Sequence, residues 1–167
     1  MARSLVDTNI LVYSRDLNEP VKRARAIEVI DQLGAGGELV LSAQCLNEFS
    51  SAALRRGTPI AEVRAAVSVW HDLGDVLSLT GAATTGALTA VERYRLSFWD
   101  ALIWATAREA DVRVVLSEDF QDGREIEGVR FVNPFKQSRC PAGSRRPSPR
   151  PAPTSARLAP FAATMTA

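Results

Sequence analysis

The sequence predicts an α/β protein built on a central, mainly parallel sheet of about four to five strands, with helices on both faces. Two observations carry this. Over residues 1–136, short apolar runs of strand length alternate with longer helical stretches, the pattern in which each helix returns the chain across a parallel sheet. The helical stretches are also punctuated as helices are. Pro20 and Pro59 stand at first turns, and Gly34 and Gly57 stand where helices stop.

In chain order, "RSLV" (3–6) reads as the first strand, and residues 20–34 as a helix opened by Pro20 and closed by Gly34. "ELVLS" (38–42) is the second strand, and its Ser42 is placed to cap the helix "AQCLNEFSSAALRR" (43–56), which Gly57 stops. "PIAEVRAAVSVWHDL" (59–73) is the next helix, "DVLSL" (75–79) a short strand, and about 82–94 another helix. "SFWDALIWATAREA" (97–110) forms a further helix, and "RVVLS" (113–117) and "VRFVN" (129–133) are the closing strands. No internal repeat is visible.

At 167 residues, with 46% hydrophobic and 23% charged residues, the chain is long enough for one domain with a real core. That domain is expected over 1–136. From residue 137 the composition changes: six of the nine prolines fall there, mixed with Ala, Ser and Arg. Such a stretch buries too little apolar surface to offset its chain entropy, so 137–167 is expected to be a disordered tail. The net charge of +1 hides an asymmetry. Arg139, Arg145, Arg146, Arg150 and Arg157 give the tail +5 with no acid, which leaves 15 bases against 19 acids, or −4, in residues 1–136. A mildly acidic domain is no ready-made polyanion binder, so action on nucleic acid would require its carboxylates to be screened. Cys45 and Cys140 lie far apart without metal-ligand spacing, as in a reducing cytosol. No apolar run approaches the ~18 residues of a membrane span, and the N-terminus does not read as a signal peptide, so a cytoplasmic protein without membrane contact is expected.

The acids fall in a pattern. Asp7 follows the first strand and Asp119 follows "RVVLS", and sites in open α/β sheets form beyond the carboxyl ends of strands. Singly, each has a purely structural reading: Asp7, Thr8 or Asn9 could cap a helix, and "SEDFQDG" could be a polar turn. Ser97 and Asp100 have the spacing of a capping box, yet the helix they open is apolar nearly all round, and an acid there is costly unless protonated, paired or bound to a cation. Only Arg93 and Arg95 lie close by in sequence to pair with Asp100. Glu48 borders the apolar stripe of its helix, where a snorkelling surface glutamate would also sit. Together, four such acids need a counter-charge. The only lysines, Lys22 and Lys136, are remote in sequence, and His71, the only histidine, sits on an amphipathic helix as a solvated residue. A hard divalent cation, Mg²⁺ or Mn²⁺ before Zn²⁺, is the remaining solution.

"LVDTNILVY", "NEF", "SFWDALIWATA" and "LSEDFQDG…GVRFVNPF" resemble, in order, the blocks of PIN-domain ribonucleases, and more narrowly the VapC toxins of VapBC-type toxin–antitoxin pairs. The resemblance covers about residues 3–136. It implies a three-layer α/β/α sandwich and metal-assisted phosphodiester hydrolysis by Asp7, Glu48, Asp100 and Asp119 around one or two Mg²⁺ ions, with Mn²⁺ a substitute. Ser117 and Asn9 match supporting residues, and Asp122 ranks as a lesser fifth acid. It further implies an RNA substrate (transfer or ribosomal RNA), a homodimer and a small inhibitory antitoxin. The helix pair over about 43–73, with Leu46, Phe49, Val63, Val67 and Trp70, offers the antitoxin a groove unless those residues are core. Arg15, Arg55, Arg56, Arg93 and Arg95 are candidate phosphate contacts. The alternatives left open are a housekeeping PIN nuclease and a non-catalytic interaction module on the same fold. A P-loop enzyme is excluded because G-x-x-x-x-G-K-[ST] is absent, and a receiver domain lacks its lysine after "RVVLSED".

Overall fold

A computed structural model describes residues 2–136; the expected tail at 137–167, with Cys140, lies outside the described residues. Strands β1 (Ser4–Val6), β2 (Leu39–Ser42) and β4 (Val114–Leu116) form the centre of the sheet. Their apolar runs are continuous because both faces are covered: Leu5, Val6, Val40, Leu41 and Val115 are fully buried. β3 (Asp75–Leu77) extends the sheet beyond β2, and β6 (Val129–Val132) extends it beyond β4, followed by the two-residue β5 (Glu125–Ile126) at the edge. The order is β3-β2-β1-β4-β6-β5, parallel throughout except for the β5–β6 pair. Leu5 stands opposite Val40 on one side and Val115 on the other. The chain therefore runs outward from β1 through β2 to β3, then returns to the other side of β1 as β4. The crevice beyond the carboxyl ends of β1 and β4 is the topological switch point.

Among the described residues, six helices complete a three-layer sandwich: α1 (Thr8–Tyr13), α2 (Pro20–Ala35), α3 (Ala43–Arg55), α4 (Ile60–Leu73), α5 (Gly81–Tyr94) and α6 (Phe98–Glu109). α1 packs on α2 and α3, α3 on α4, and α5 on α6, which lies against β4 and β6. Phe49 of α3 meets Trp70 of α4 edge-to-face at 4.6 Å. α6 is buried without a break from Ala101 to Ala107, as its all-round apolar sequence requires, and its Trp104 indole N–H donates to the Ile126 carbonyl at 3.1 Å. Between α4 and β3 the chain passes so close to β2 that a Cβ on Gly74 would stand 2.7 Å from the Leu39 carbonyl oxygen. No helix among the described residues is long and apolar enough to cross a membrane.

The sheet has six strands where about four to five were expected, because Glu125–Ile126 is too short to show a periodicity and exists as a strand only by pairing with β6. α1 is likewise new: "TNILVY" continues an apolar run, and the helix starts because Asp7 caps it. Ser42 and Ser97 cap α3 and α6 as expected. α2 runs one residue past Gly34, and the left-handed backbone that ends this region falls at Gly37, φ 65°.

Candidate active site

Asp7 ends β1 and caps α1. Its backbone N–H donates to the Leu116 carbonyl of β4 at 3.0 Å, which ties the two central strands together at the switch point. Its side chain is almost fully buried and accepts from three donors: the Thr8 N–H at 2.6 Å, the Ser117 hydroxyl at 2.6 Å and the Asn9 amide at 3.2 Å. Burial nevertheless pushes its carboxyl up to about 6. The Ser117 and Thr8 bonds oppose the rise, and the charges of Asp119 and Glu48 add to it.

The other acids converge on this point from separate elements. Asp119, exposed on the loop after β4, accepts from Asn9 Nδ2 at 3.0 Å, and its own N–H donates to Ser117 Oγ at 3.1 Å. Glu48 of α3 is half-buried. One of its oxygens accepts from Thr8 Oγ1 at 2.7 Å, the other from Gln44 Nε2 at 2.9 Å. Asp100, in the first turn of α6, is half-buried. Its carboxyl is raised by desolvation, against the Ser97 hydrogen bond, with further raising from Asp119 and Glu48. The four acids expected from the sequence are thus neighbours, and Asn9 and Ser117 join two of them.

Asp122 stands apart: its carboxylate accepts from the Asn133 N–H at 2.9 Å and serves a turn. No ion pair among the described residues joins Arg95 to Asp100, and Arg93 reaches Glu127 instead, at 3.6 Å. One sequence reading needs correction. Lys22 is not remote, because α2 returns beside α1 and places its ammonium 2.7 Å from Glu118, the residue between Ser117 and Asp119. Tyr13 hydrogen-bonds both Glu118 and Lys22. Lys22 therefore neutralises Glu118 and holds the Asp119 loop, leaving the four-acid cluster without a lysine of its own. The sequence reading gave Thr8 only as a possible cap and Lys22 only as remote, and it did not single out Gln44 or Glu118. Only Gln44 carried a local signal, its i,i+4 spacing to Glu48.

The sequence profile of the PIN domain matches residues 4–122. The chain belongs to the PIN-domain family. No curated protein matches the sequence at a significant level. Among solved structures, this PIN domain resembles one chain of a toxin–antitoxin complex from Klebsiella pneumoniae (TM-score 0.59, 20% identity, 78% of this chain and 97% of that one). It also resembles a chain of DNA-bound VapBC from Salmonella typhimurium (TM-score 0.58, 18% identity, 78% and 97%). A third is VapC20 of Mycobacterium tuberculosis, described as a toxin cleaving the sarcin–ricin loop (TM-score 0.51, 18% identity, 67% and 86%). At these identities the likeness is one of fold.

The donor set of this PIN domain fits a hard divalent cation in kind. It offers carboxylates without imidazole, and the nearby Cys45 thiol is pushed up to about 12 by burial and stays protonated. Two buried amide oxygens beside the acids, Asn9 Oδ1 and Gln44 Oε1, have no hydrogen-bond donor, and a cation or its water would meet that need. As posed, no three His, Cys, Asp or Glu side chains among the described residues group as ligands of one ion. Thr8 and Asn9, which both donate to Asp7, each tie a second acid to it, Glu48 through the Thr8 hydroxyl and Asp119 through the Asn9 amide.

Ser117 is the hub of the PIN-domain site, donating to Asp7 while accepting from Asn9 and the Asp119 N–H. Ser117→Ala should therefore raise the Asp7 titration midpoint further and cost about 1–3 kcal/mol of stability through the donors and acceptor left unpaired. Carboxyl-carbon NMR and urea unfolding read both, and an unmoved Asp7 midpoint would contradict the assignment.

Proposed function

We propose that this PIN domain is a Mg²⁺-dependent endoribonuclease and the toxin of a toxin–antitoxin pair, acting in the cytoplasm on transfer or ribosomal RNA. The observation that carries the reading is the meeting, at the switch point, of four acids spread over residues 7–119, the most buried of them held by three donors. Structural metal-free packing gives no reason to assemble four carboxylates in one place. The three similar structures named above, one a toxin and two toxin–antitoxin complexes, support the toxin part of the reading.

Asp7 and Asp100 would hold the ion, with Asp119 completing the site, and Glu48 would hold a second ion or position the attacking water. Mg²⁺, or Mn²⁺ in its place, supplies a water of lowered pKa and a positive charge against the phosphate. Asp7 is fixed for this role before any ligand arrives, because Thr8, Asn9 and Ser117 leave its carboxylate one orientation. Gln44 and Thr8 do the same for Glu48.

A homodimer and an antitoxin are the partners proposed. For the antitoxin the α3–α4 pair remains the surface of choice, but its lining differs from the sequence expectation. Leu46, Phe49, Val63 and Trp70 are core, and the apolar surface consists of Leu54 and Ile60 with half-buried Val67.

The test is to incubate purified, antitoxin-free protein with total cellular RNA in Mg²⁺ or EDTA, beside Asp7→Asn and Asp100→Asn. Discrete cuts that need metal and vanish in both variants are expected. Intact RNA from well-folded protein that also binds neither Mg²⁺ nor Mn²⁺ would refute the nuclease. Induction that harms no cell, or harm not relieved by a co-expressed neighbouring small protein, would refute the toxin and favour RNA processing.

A further inference from the structure

The turn that delivers Asp100 to the site also carries an unusual surface. Of the three tryptophans, Trp70 and Trp104 are each 3% exposed, whereas Trp99 is 59% exposed. Phe98, 36% exposed, meets the Trp99 ring edge-on at 5.4 Å and 69°. Leaving an indole in water forgoes a large burial gain, and here it stands directly beside Asp100.

Its backbone is tied into the acidic cluster. Gln44 Nε2 donates to the Trp99 carbonyl at 3.2 Å and to Glu48 Oε1 at 2.9 Å, so one amide fixes both. Electrostatics adds a reason for an aromatic at this rim. The domain carries −4 over residues 1–136, and Asp7, Glu48, Asp100 and Asp119 concentrate negative charge where a phosphate chain must approach. A contact indifferent to charge is needed there, and an aromatic face against a base supplies it.

We propose that Trp99, braced by Phe98, is a stacking platform for an unstacked base of a single-stranded RNA whose backbone enters the acidic site. The proposal rests on the ribonuclease reading above. It names a binding subsite; Trp99 takes no part in bond cleavage.

The other two tryptophans also emit, but they are buried out of a ligand's reach, so a base stacked on Trp99 quenches that ring's share of the intrinsic fluorescence. The Asp7→Asn protein, silenced for cleavage, is titrated in Mg²⁺ with a short single-stranded oligoribonucleotide of mixed sequence. Saturable quenching is expected. Adding Trp99→Phe should keep binding within a few-fold but abolish the quench, and adding Trp99→Ala should weaken binding roughly 10- to 100-fold. In the otherwise native chain, Trp99→Ala should raise KM for RNA far more than it lowers kcat.

Quenching that survives Trp99→Phe, or unchanged affinity and KM in Trp99→Ala, overturns the platform. If Trp99→Ala turns a dimer into a monomer in sedimentation while RNA affinity is unchanged, the aromatic pair is an interface between two copies and the proposal fails. The two readings separate cleanly. RNA cleaved with the same KM by native and Trp99→Ala protein sinks the platform alone. Quenching by RNA that the native protein never cleaves sinks the nuclease alone.

Discussion

Asp7→Asn is expected to destroy cleavage and to make the metal-free protein more stable above about pH 6. The activity loss should be at least about 100-fold, since the residue proposed as principal ligand loses its charge. The stability gain follows from linkage. Burial disfavours the charge of the folded carboxyl and pushes it up to about 6, from 3.8 for a free aspartate. The folded state therefore binds this proton more tightly than the unfolded state does. Below pH ~4 the group is protonated in both states and costs nothing; as pH rises through 4 to 6 the folded state loses stability. Above that range the full penalty, about 3 kcal/mol, is in place. Asparagine can cap α1 through its amide oxygen and carries no charge penalty. Its NH2, however, replaces the oxygen that accepted from Ser117 and Asn9, so the gain is smaller than the full penalty. Urea unfolding at pH 4 and pH 8 should show the variant overtaking the native protein only at the higher pH. Mg²⁺ should restore the native protein and leave the variant unmoved. Because proton and cation compete for Asp7, cleavage at sub-saturating Mg²⁺ should fall as the pH drops below about 6, and saturating Mg²⁺ should shift that fall to lower pH. A variant no more stable than the native chain at pH 8 would contradict this account of Asp7.

Trp104→Ala should be the most damaging core change, at about 3–5 kcal/mol. The ring is 3% exposed, packs edge-on against Tyr94 at 5.8 Å, and joins α6 to β5 through the Ile126 carbonyl. Domains of this size hold only about 5–15 kcal/mol in total, so a fall of roughly 10–15 °C in Tm is expected by calorimetry. Trp104→Phe keeps most of the volume and loses the indole hydrogen bond, so it should cost about 1–2 kcal/mol. Trp104 lies one turn beyond Asp100 on the same side of α6, so the alanine variant should also loosen Asp100. Equal Tm values for the alanine and native proteins would mean that α6 is not anchored through this ring.

Much of this was legible in the sequence, for physical reasons that differ by element. Strands such as "ELVLS" announced themselves because burial on both faces leaves no polar alternation. Helices announced themselves through their ends: Ser42 and Ser97 cap as their spacing required. The four acids were legible only as a set: Asp7 and Asp119 follow strands, Asp100 opens a buried helix and Glu48 borders an apolar stripe, and each alone has a structural use. What escaped depends on tertiary geometry. α1 follows from the cap by Asp7 and packing on α3, while β5 needs β6 to exist. Lys22 and Glu118 lie 96 residues apart, and nothing local tells that α2 folds back beside the β4 loop. The exposure of Trp99 was equally hidden, since "SFWDALIWATA" reads as apolar nearly throughout while its first two rings face water and its third does not.

The strand order has a consequence for a chain still being made. β1, with Asp7, is made before its neighbour β4, which is drawn from residues 114–116, after all six described helices. Until that strand slots in, Ser117 cannot orient Asp7 and Asp119 does not exist. Synthesis thus delays assembly of the acidic centre until nearly the whole domain has emerged, and no shorter nascent piece holds all four carboxylates. The nuclease proposed above would therefore lack a complete acidic centre while residues 1–118 are being made.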